Sequence, residues 1–322
     1  MGLGLGATLG ATRWACALPR PGGEPGVVWA VDHWRGCAML VGPSLAIQRV
    51  LPLGAARRLA IGAERMWAVA GPGRQQRVLT RPRGSGRSWE PGWPLPLGAV
   101  SQLKAVGERA AYLLLEEKRG AGLWRLEVGR EPLCLEAPRS AVRRTLVAGQ
   151  MLTQDPATGQ WVLHALGIDG LRVRRSVWAA ETLQRALPGH TGGWWCITGE
   201  EGDRLELRDG RLQLIWSRPL EFRATALVPC EAGVLVLGGK RLAGRCFDPD
   251  GLSGRLLEWN LRGPLRGALA LGEGWLLALP GALLKLAPDG VIECTQGGFG
   301  ELLGLASADP RASQAGSFLG GG

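Results

Sequence analysis

The chain has 322 residues, of which 46% are apolar and 6% aromatic, and its formal net charge is +10 at pH 7. This length suits two ordinary domains or one large repeat domain, and the apolar content supports a sizeable core. The 51 glycines follow no G-X-Y period, which excludes a collagen, and no apolar run approaches the length of about 18 residues that a transmembrane helix needs.

The N-terminal segment, MGLGLGATLGATRWACALPRPGG, lacks a basic residue before Arg13, and four glycines interrupt its apolar stretch. This pattern argues against a secretory signal peptide. The chain contains seven cysteines, without a C-x-x-C pair, and most of them lie in apolar, strand-like runs such as WWCIT. Thiols of this kind indicate reduced core residues and predict a cytoplasmic protein.

A large apolar residue recurs at the start of one strand-like run in each of seven segments. These anchors are Trp29, Trp67, Tyr112, Met151, Trp194, Val234 and Trp275. Successive anchors are 38, 45, 39, 43, 40 and 41 residues apart, with a mean of 41. Four strand-like runs fit within each period, as in LRGALALG, WLLALP, LLKLAP and VIECTQ of the last unit. A repeat of this length and content predicts a seven-bladed β-propeller.

An Asp-Gly pair recurs between the third and fourth runs of a unit. The four pairs are Asp169-Gly170, Asp209-Gly210, Asp250-Gly251 and Asp289-Gly290. Because Asp-Gly tolerates the positive φ of a tight hairpin turn, this recurrence indicates a shared geometry rather than a shared chemistry.

These observations predict an all-β domain over residues 1–305, with four antiparallel strands per blade, about 41 residues per blade, and a flexible tail over 306–322. Either ATRWACALP near the start or GELLGLASADP near the end could supply the inner strand of the first blade, and six blades plus an irregular unit remain an alternative. The predicted blades span roughly residues 11–54, 55–98, 99–139, 140–180, 181–221, 222–263 and 264–300.

On these repeats and their Asp-Gly turns, the chain resembles the bacterial β-propeller repeat proteins of the PQQ-like and related types. In those proteins an Asp-Gly turn precedes the outer strand, and the resemblance covers roughly residues 11–300. The Gly-His and Trp-Asp signatures of WD-repeat propellers are missing, so the likeness to that family extends only to its architecture. The resemblance implies a propeller and leaves the function open.

The strongest local charge feature is GRQQRVLTRPRGSGR, residues 73–87, whose RPRGSGR portion indicates an exposed hairpin. Guanidinium groups bind phosphates and carboxylates bidentately, and exposed tryptophans anchor protein partners. The candidate partner-binding residues of this feature and its flank are Arg74, Arg77, Arg81, Arg83, Arg87, Trp89 and Trp93. A solvated surface loop and core packing of the two tryptophans are the alternatives. Arg139, Arg143 and Arg144 form a second basic cluster.

No catalytic motif is present in the sequence. His33, His164 and His190 fall in different units and lack metal-ligand spacing, so we predict no catalytic residue, metal or cofactor. The sequence favours a non-enzymatic scaffold for protein–protein interaction or a subunit of a larger bacterial complex. A propeller enzyme or small-ligand binder, and an anion or nucleic-acid binder that uses the Arg-rich loops, are the alternatives.

Overall fold

Short apolar runs punctuated by glycine form strands, and the described part of the chain contains no helix. No segment in that part therefore forms a long apolar helix that could cross a membrane. The structure, a computed structural model, describes residues 27–72, 75–83, 88–106, 109–117, 120–137, 144–147, 150–167, 170–178, 183–189, 193–230, 233–239, 241–259, 261, 264–271 and 274–307.

The strands form seven antiparallel sheets of four strands each. In each blade the strands are given from the inner to the outer one: blade 1 contains β28 (Leu302–Ser307), β1 (Val28–Asp32), β2 (Cys37–Val41) and β3 (Ile47–Pro52). Blade 2 contains β4 (Ala56–Ile61), β5 (Arg65–Ala70), β6 (Arg77–Pro82) and β7 (Glu90–Pro94). Blade 3 contains β8 (Ala99–Val106), β9 (Ala110–Glu117), β10 (Gly120–Glu127) and β11 (Arg130–Glu136), and blade 4 contains β12 (Arg144–Val147), β13 (Gln150–Gln154), β14 (Trp161–Gly167) and β15 (Gly170–Trp178). Blade 5 contains β16 (Leu183–Pro188), β17 (Trp194–Thr198), β18 (Arg204–Arg208) and β19 (Leu214–Pro219). Blade 6 contains β20 (Ala224–Cys230), β21 (Gly233–Gly238), β22 (Ala243–Phe247) and β23 (Leu257–Glu258). Blade 7 contains β24 (Gly267–Leu271), β25 (Gly274–Leu279), β26 (Ala282–Leu286) and β27 (Ile292–Gly297).

The seven inner strands contact one another in blade order and close into a ring. This confirms the predicted seven-bladed propeller. Of the two candidate closing segments, the C-terminal one supplies the inner strand of blade 1, where Ser307 lies opposite Val28 and Leu305 lies opposite Ala30. The other candidate, ATRWACALP, and the predicted tail beyond residue 307 lie outside the described residues.

The core lies between blades, and the second strands supply much of it. All seven anchor residues predicted from the sequence are buried and lie on the second strands. In the cluster between blades 4 and 5, for example, Trp161 and Leu163 pack with Trp194 and Leu212. The outer strands are mostly exposed, and no described strand pairs with their far edge. Burial of both faces of the inner strands therefore depends on closure of the ring.

One turn geometry joins the third strand to the outer strand in four blades. The turn spans five residues. The N–H of the first residue donates to the carbonyl of the fifth, and the N–H of the fourth donates to the carbonyl of the first. That fourth residue has a positive φ in every case: it is Leu45, Leu212, Gly251 and Gly290 in blades 1, 5, 6 and 7.

Three of the four predicted Asp-Gly pairs lie in these connections, but they do not all occupy the same turn positions. Gly251 and Gly290 carry the positive φ, whereas in blade 5 the pair comes first and Leu212 adopts a φ of 66° instead. Leu212 is buried, so packing against blade 4 offsets its backbone strain. In blade 4, residue 169 lies outside the described residues.

A buried carboxylate holds the closing segment in place. Asp32, at the end of β1, is fully buried and accepts hydrogen bonds from three backbone N–H groups. Its Oδ1 accepts from Arg35 and Glu301, each at 3.1 Å, and its Oδ2 accepts from Gly300 at 2.7 Å. Asp32 thus ties the chain segment that leads into β28 to the first blade.

The cysteines are less uniform than the sequence predicts. Cys37 and Cys196 are buried, and burial raises the pKa of the Cys196 thiol far above its ordinary value. Cys230, Cys246 and Cys294 are half-buried, and Cys134 is exposed because it lies on an outer strand. The six cysteines among the described residues form no disulfide with one another.

Candidate functional site

The predicted Arg-rich feature does not form one continuous surface. Arg77 begins β6 and Arg83 follows it, so about 20 Å of strand separates them, and both are exposed. Arg81 lies between them and is only 4% exposed. Its partners in the prediction, Arg74 and Arg87, lie outside the described residues.

Arg81 and Trp89 pack against each other inside blade 2. The guanidinium carbon of Arg81 lies 5.7 Å from the centre of the Trp89 ring, which is within cation–π range. Burial, with a contribution from nearby Arg49, lowers the pKa of Arg81. The half-buried Trp89 ring packs on the core between blades 1 and 2, whereas Trp93 is 41% exposed. Trp93 is therefore the more accessible of the two predicted tryptophan anchors.

Trp93 borders a cleft of about 420 Å³ between blades 2 and 3. Trp67, Val78 and Leu126 form its apolar floor, and Gly92 also lines it. A Cβ on Gly92 would lie 2.2 Å from the Val78 carbonyl oxygen, so only glycine allows this close approach. The volume is within the range of small-ligand and side-chain pockets.

Ion pairs border the cleft. Arg65 donates to Glu90 at 2.8 Å, and Thr80 lies 3.3 Å from the same carboxylate oxygen. At the other wall, Glu127 accepts from Arg125 and from Arg130, and Arg130 is largely exposed. Each of the two carboxylates therefore has an arginine beside it, and the exposed Arg130 lies at the rim of the apolar cleft.

The propeller has two faces, which the strand directions define. The upper face is the end at which the inner strands begin, and the lower face is the end at which the second strands begin. The cleft lies toward the lower face, because it contains the start of β7 and the turn between β10 and β11. Arg83 and Arg130 belong to this face, and Arg77 belongs to the upper face.

A β-bulge recurs near the upper end of the inner strands. The pairing register between the inner and second strands shifts by one residue in five blades. The extra residues are Leu303, Arg57, Ser101, Gln184 and Thr225, in blades 1, 2, 3, 5 and 6. A bulge of this kind redirects side chains at the rim of a sheet.

The residue after the bulge makes a recurring contact. Arg58 donates through Nη1 to the carbonyl of Arg57, and Arg185 donates through Nη1 to the carbonyl of Gln184, both at 2.7 Å. Arg185 also donates through Nε to the carbonyl of Thr225 on the next blade, at 2.9 Å. The two guanidinium groups are therefore held in equivalent positions on blades 2 and 5.

Gln102 occupies the same position on blade 3. Its Oε1 accepts the N–H of Leu146, and its amide nitrogen lies 3.1 Å from the hydroxyl of Thr145 on blade 4. Arg58, Gln102 and Arg185 were not among the predicted site residues. Their signal is the adjacent polar pair at the start of a strand, in ARRLAI, AVSQLKAV and LQRALP, which interrupts the two-residue alternation of a strand.

The titratable groups form no compact metal-binding cluster in the part of the chain that the structure describes. Arg144, from the predicted second basic cluster, pairs with Glu136 at 2.9 Å and is buried between blades 3 and 4. His164 is half-buried nearby, and burial lowers its pKa, which Glu136 partly offsets. His190 and the remaining arginines of that cluster, at 139 and 143, lie outside the described residues.

Comparison with known proteins gives the fold and no family. No family model and no curated protein sequence matches the chain. Among solved structures, apo AztD from Citrobacter koseri is similar, with a TM-score of 0.59 and 11% identity over 88% of this chain and 97% of that one. A streptogramin B lyase has a TM-score of 0.58 and 11% identity, covering 84% of this chain and 90% of its own.

BamB from Moraxella catarrhalis is similar at a TM-score of 0.54 and 12% identity, over 90% of this chain and 89% of that one. These likenesses confirm the resemblance to bacterial β-propellers at the level of the fold. Their names differ in the function they indicate, so the likeness supports a general propeller and selects no activity.

Proposed function

We propose that the protein is a non-enzymatic scaffold, or a subunit of a larger assembly, that receives a partner protein at the cleft between blades 2 and 3. The observation that carries this proposal is the exposed Trp93 beside an apolar depression of about 420 Å³. Tryptophan is strongly enriched among the residues that dominate binding energy at interfaces, especially beside a pocket that a partner side chain can fill.

The surroundings of the cleft favour insertion of a side chain over addition of a strand. Pro91 and Pro94 lie in the short outer strand β7, and proline has no N–H to pair with another strand. The net charge of +10 and the exposed Arg83 and Arg130 favour an acidic partner. We therefore expect a partner with acidic residues around an apolar anchor, in the cytoplasm.

A capture experiment with matched tryptophan variants tests the proposal. The tagged, nuclease-treated protein is purified from its source cells and washed at low and then at high salt, and the eluate is analysed by mass spectrometry. The variants are Trp93→Ala and, as the control, Trp34→Ala, whose side chain is 71% exposed on the upper face. Both changes remove an exposed indole, and only one of these lies beside the cleft.

We expect one protein in stoichiometric amount that resists high salt and is retained by Trp34→Ala. Trp93→Ala should weaken its binding about 30-fold or more, as truncation of a dominant interface residue does. Chemical cross-links from the partner to the cleft should be lost in parallel. Retention of the partner by Trp93→Ala, or equal loss from both variants, would overturn the assignment of the cleft.

A further inference from the structure

Among the described residues, blade 6 is the one blade whose sheet contains two cysteines. Cys230 is the last residue of the inner strand β20, and Cys246 is the last but one of the third strand β22. These two strands run in the same direction, so both thiols lie near the lower face. The other four described cysteines are divided singly among blades 1, 3, 5 and 7.

The strand register places the two thiols on the same side of the sheet. On the middle strand β21, Cys230 lies opposite Gly233 and Cys246 lies opposite Leu235. Side chains two residues apart on a strand point to the same side, and opposite residues share that side. Gly233 adds no side chain between Cys230 and β22. Only glycine fits there, because a Cβ would overlap the carbonyl oxygen of Phe247.

The two thiols are in direct contact. A hydrogen bond from Cys230, together with burial, raises the pKa of the Cys246 thiol. Both side chains are half-buried, and both pack against the large apolar cluster that joins blades 5, 6, 7 and 1. The pair thus has an apolar wall on one side and remains accessible to solvent on the other.

The spacing of the strands favours an ion between the two sulfur atoms over a disulfide. Neighbouring strands lie about 4.8 Å apart, so β20 and β22, with β21 between them, are roughly 10 Å apart. A disulfide needs Cα atoms within about 7 Å of each other. Two metal–thiolate bonds of about 2.3 Å instead span up to about 4.6 Å between the sulfur atoms. Two thiols that reach toward each other across one strand suit this bridge.

The number and type of ligands select the ion. A structural zinc ion takes four ligands, and the described part of the chain contains no group of three or more His, Cys, Asp or Glu residues that could hold a metal ion. Thiolate sulfur is a soft ligand that favours copper(I), an ion that accepts two thiolates in a linear arrangement.

We propose that Cys230 and Cys246 bind one copper(I) ion as a two-coordinate thiolate pair. The ion replaces the two thiol protons, which pass to solvent, and its oxidation state does not change. The site lies in blade 6 and is separate from the cleft between blades 2 and 3. Copper binding would therefore be a second property of the protein, independent of the partner proposed for that cleft.

An anaerobic competition titration tests this site. The protein is reduced, the reductant is removed, and copper(I) is supplied as its complex with the chromophoric chelator bicinchoninate. The site variants are Cys230→Ser and Cys246→Ser, each made singly. The control is Cys294→Ser, which also removes one half-buried thiol, from the outer strand of the neighbouring blade. Alkylation with iodoacetamide, read by peptide mass spectrometry, locates the bound ion in the unmodified protein without relying on any variant.

We expect the tightest site to hold one copper(I) ion per chain. Either site variant should weaken binding about 100-fold or more, because the second thiolate of a pair binds at a high effective concentration. The control should change the affinity by less than about twofold, since its thiol is not a ligand. Copper(I) should protect Cys230 and Cys246 together from alkylation. Protection of neither thiol, an equal loss in the control, a loss in one site variant alone, or a Cys230–Cys246 disulfide on mild oxidation would overturn the proposal.

Discussion

Replacing Asp32 with alanine should open the ring more readily than any comparable surface change. The side chain is fully buried, and its removal leaves the N–H groups of Gly300, Glu301 and Arg35 without their acceptor. A hydrogen bond to a charged group contributes about 1.5–3 kcal/mol, and water can replace only the bond to the exposed Arg35. We therefore expect a loss of about 3–5 kcal/mol in the free energy of unfolding.

This loss has a measurable thermal consequence. An unfolding entropy of about 2.1 cal/mol/K per residue converts it into a fall in Tm of about 4–7 °C for a chain of this size. Differential scanning calorimetry gives the Tm, and limited proteolysis should show earlier release of β28. Asp32→Asn keeps the shape but replaces one acceptor oxygen by a donor, so it should lose about half as much stability.

Asp209→Ala is the matched control for Asp32→Ala. Its carboxylate also accepts backbone N–H groups, those of Arg211 and Gln213 at 2.8 Å, but in an exposed turn where water can replace them. We expect a loss of about 1 kcal/mol or less. A Tm for Asp32→Ala within 1 °C of the parent, or equal to that of Asp209→Ala, would refute the role of Asp32 in closing the ring.

Three further predictions concern the turns and the blade interface. Leu212→Ala should lose about 2–4 kcal/mol of unfolding free energy in urea, because it removes a buried side chain. Leu212→Gly should be no less stable than Leu212→Ala, because alanine keeps the backbone strain of a φ near 66° and glycine does not. A clearly less stable glycine variant would contradict this. Gly251→Ala should cost about 1–2 kcal/mol more than Gly298→Ala, because both have a positive φ but only the first places its Cβ 3.2 Å from the Trp216 ring; equal midpoints would argue against that contact. Because burial lowers the pKa of His164, the unfolded chain binds the proton more readily than the folded one. The free energy of unfolding should therefore fall from pH 7.5 to 5.5, and it should fall less in His164→Gln. Parallel pH profiles of the two proteins would contradict this.

Much of the fold could be predicted because the same sequence pattern recurs in each of the seven blades. The anchor residues of all seven units lie on the second strands and are buried, since each faces the same interface between blades. The closing strand could not be chosen in advance, because two segments had equal strand character. Pairing between residues as distant as Val28 and Ser307 depends on tertiary structure and leaves no local signal.

The candidate sites were less predictable, for two physical reasons. The Arg-rich segment looked continuous in sequence, but strand β6 places Arg77 and Arg83 at opposite faces and buries Arg81 between them. Arg58 and Arg185 were not predicted because a bulge adds one residue to each strand, so that each of them follows another polar residue. Trp93 was predicted, and its place beside a cleft required the neighbouring blade.

Closure by β28 also fixes the order in which this protein can finish folding. The inner strand of blade 1 is the last of the described strands to be synthesised, whereas its partner β1 is the first. At a synthesis rate of about 5–20 residues per second, β1 therefore waits roughly 15–55 s for its neighbour. During that interval the edge of β1 that β28 later covers can pair with another chain. Slow translation of the chain between β1 and β28 should thus increase aggregation or dependence on chaperones, without any change in the finished molecule.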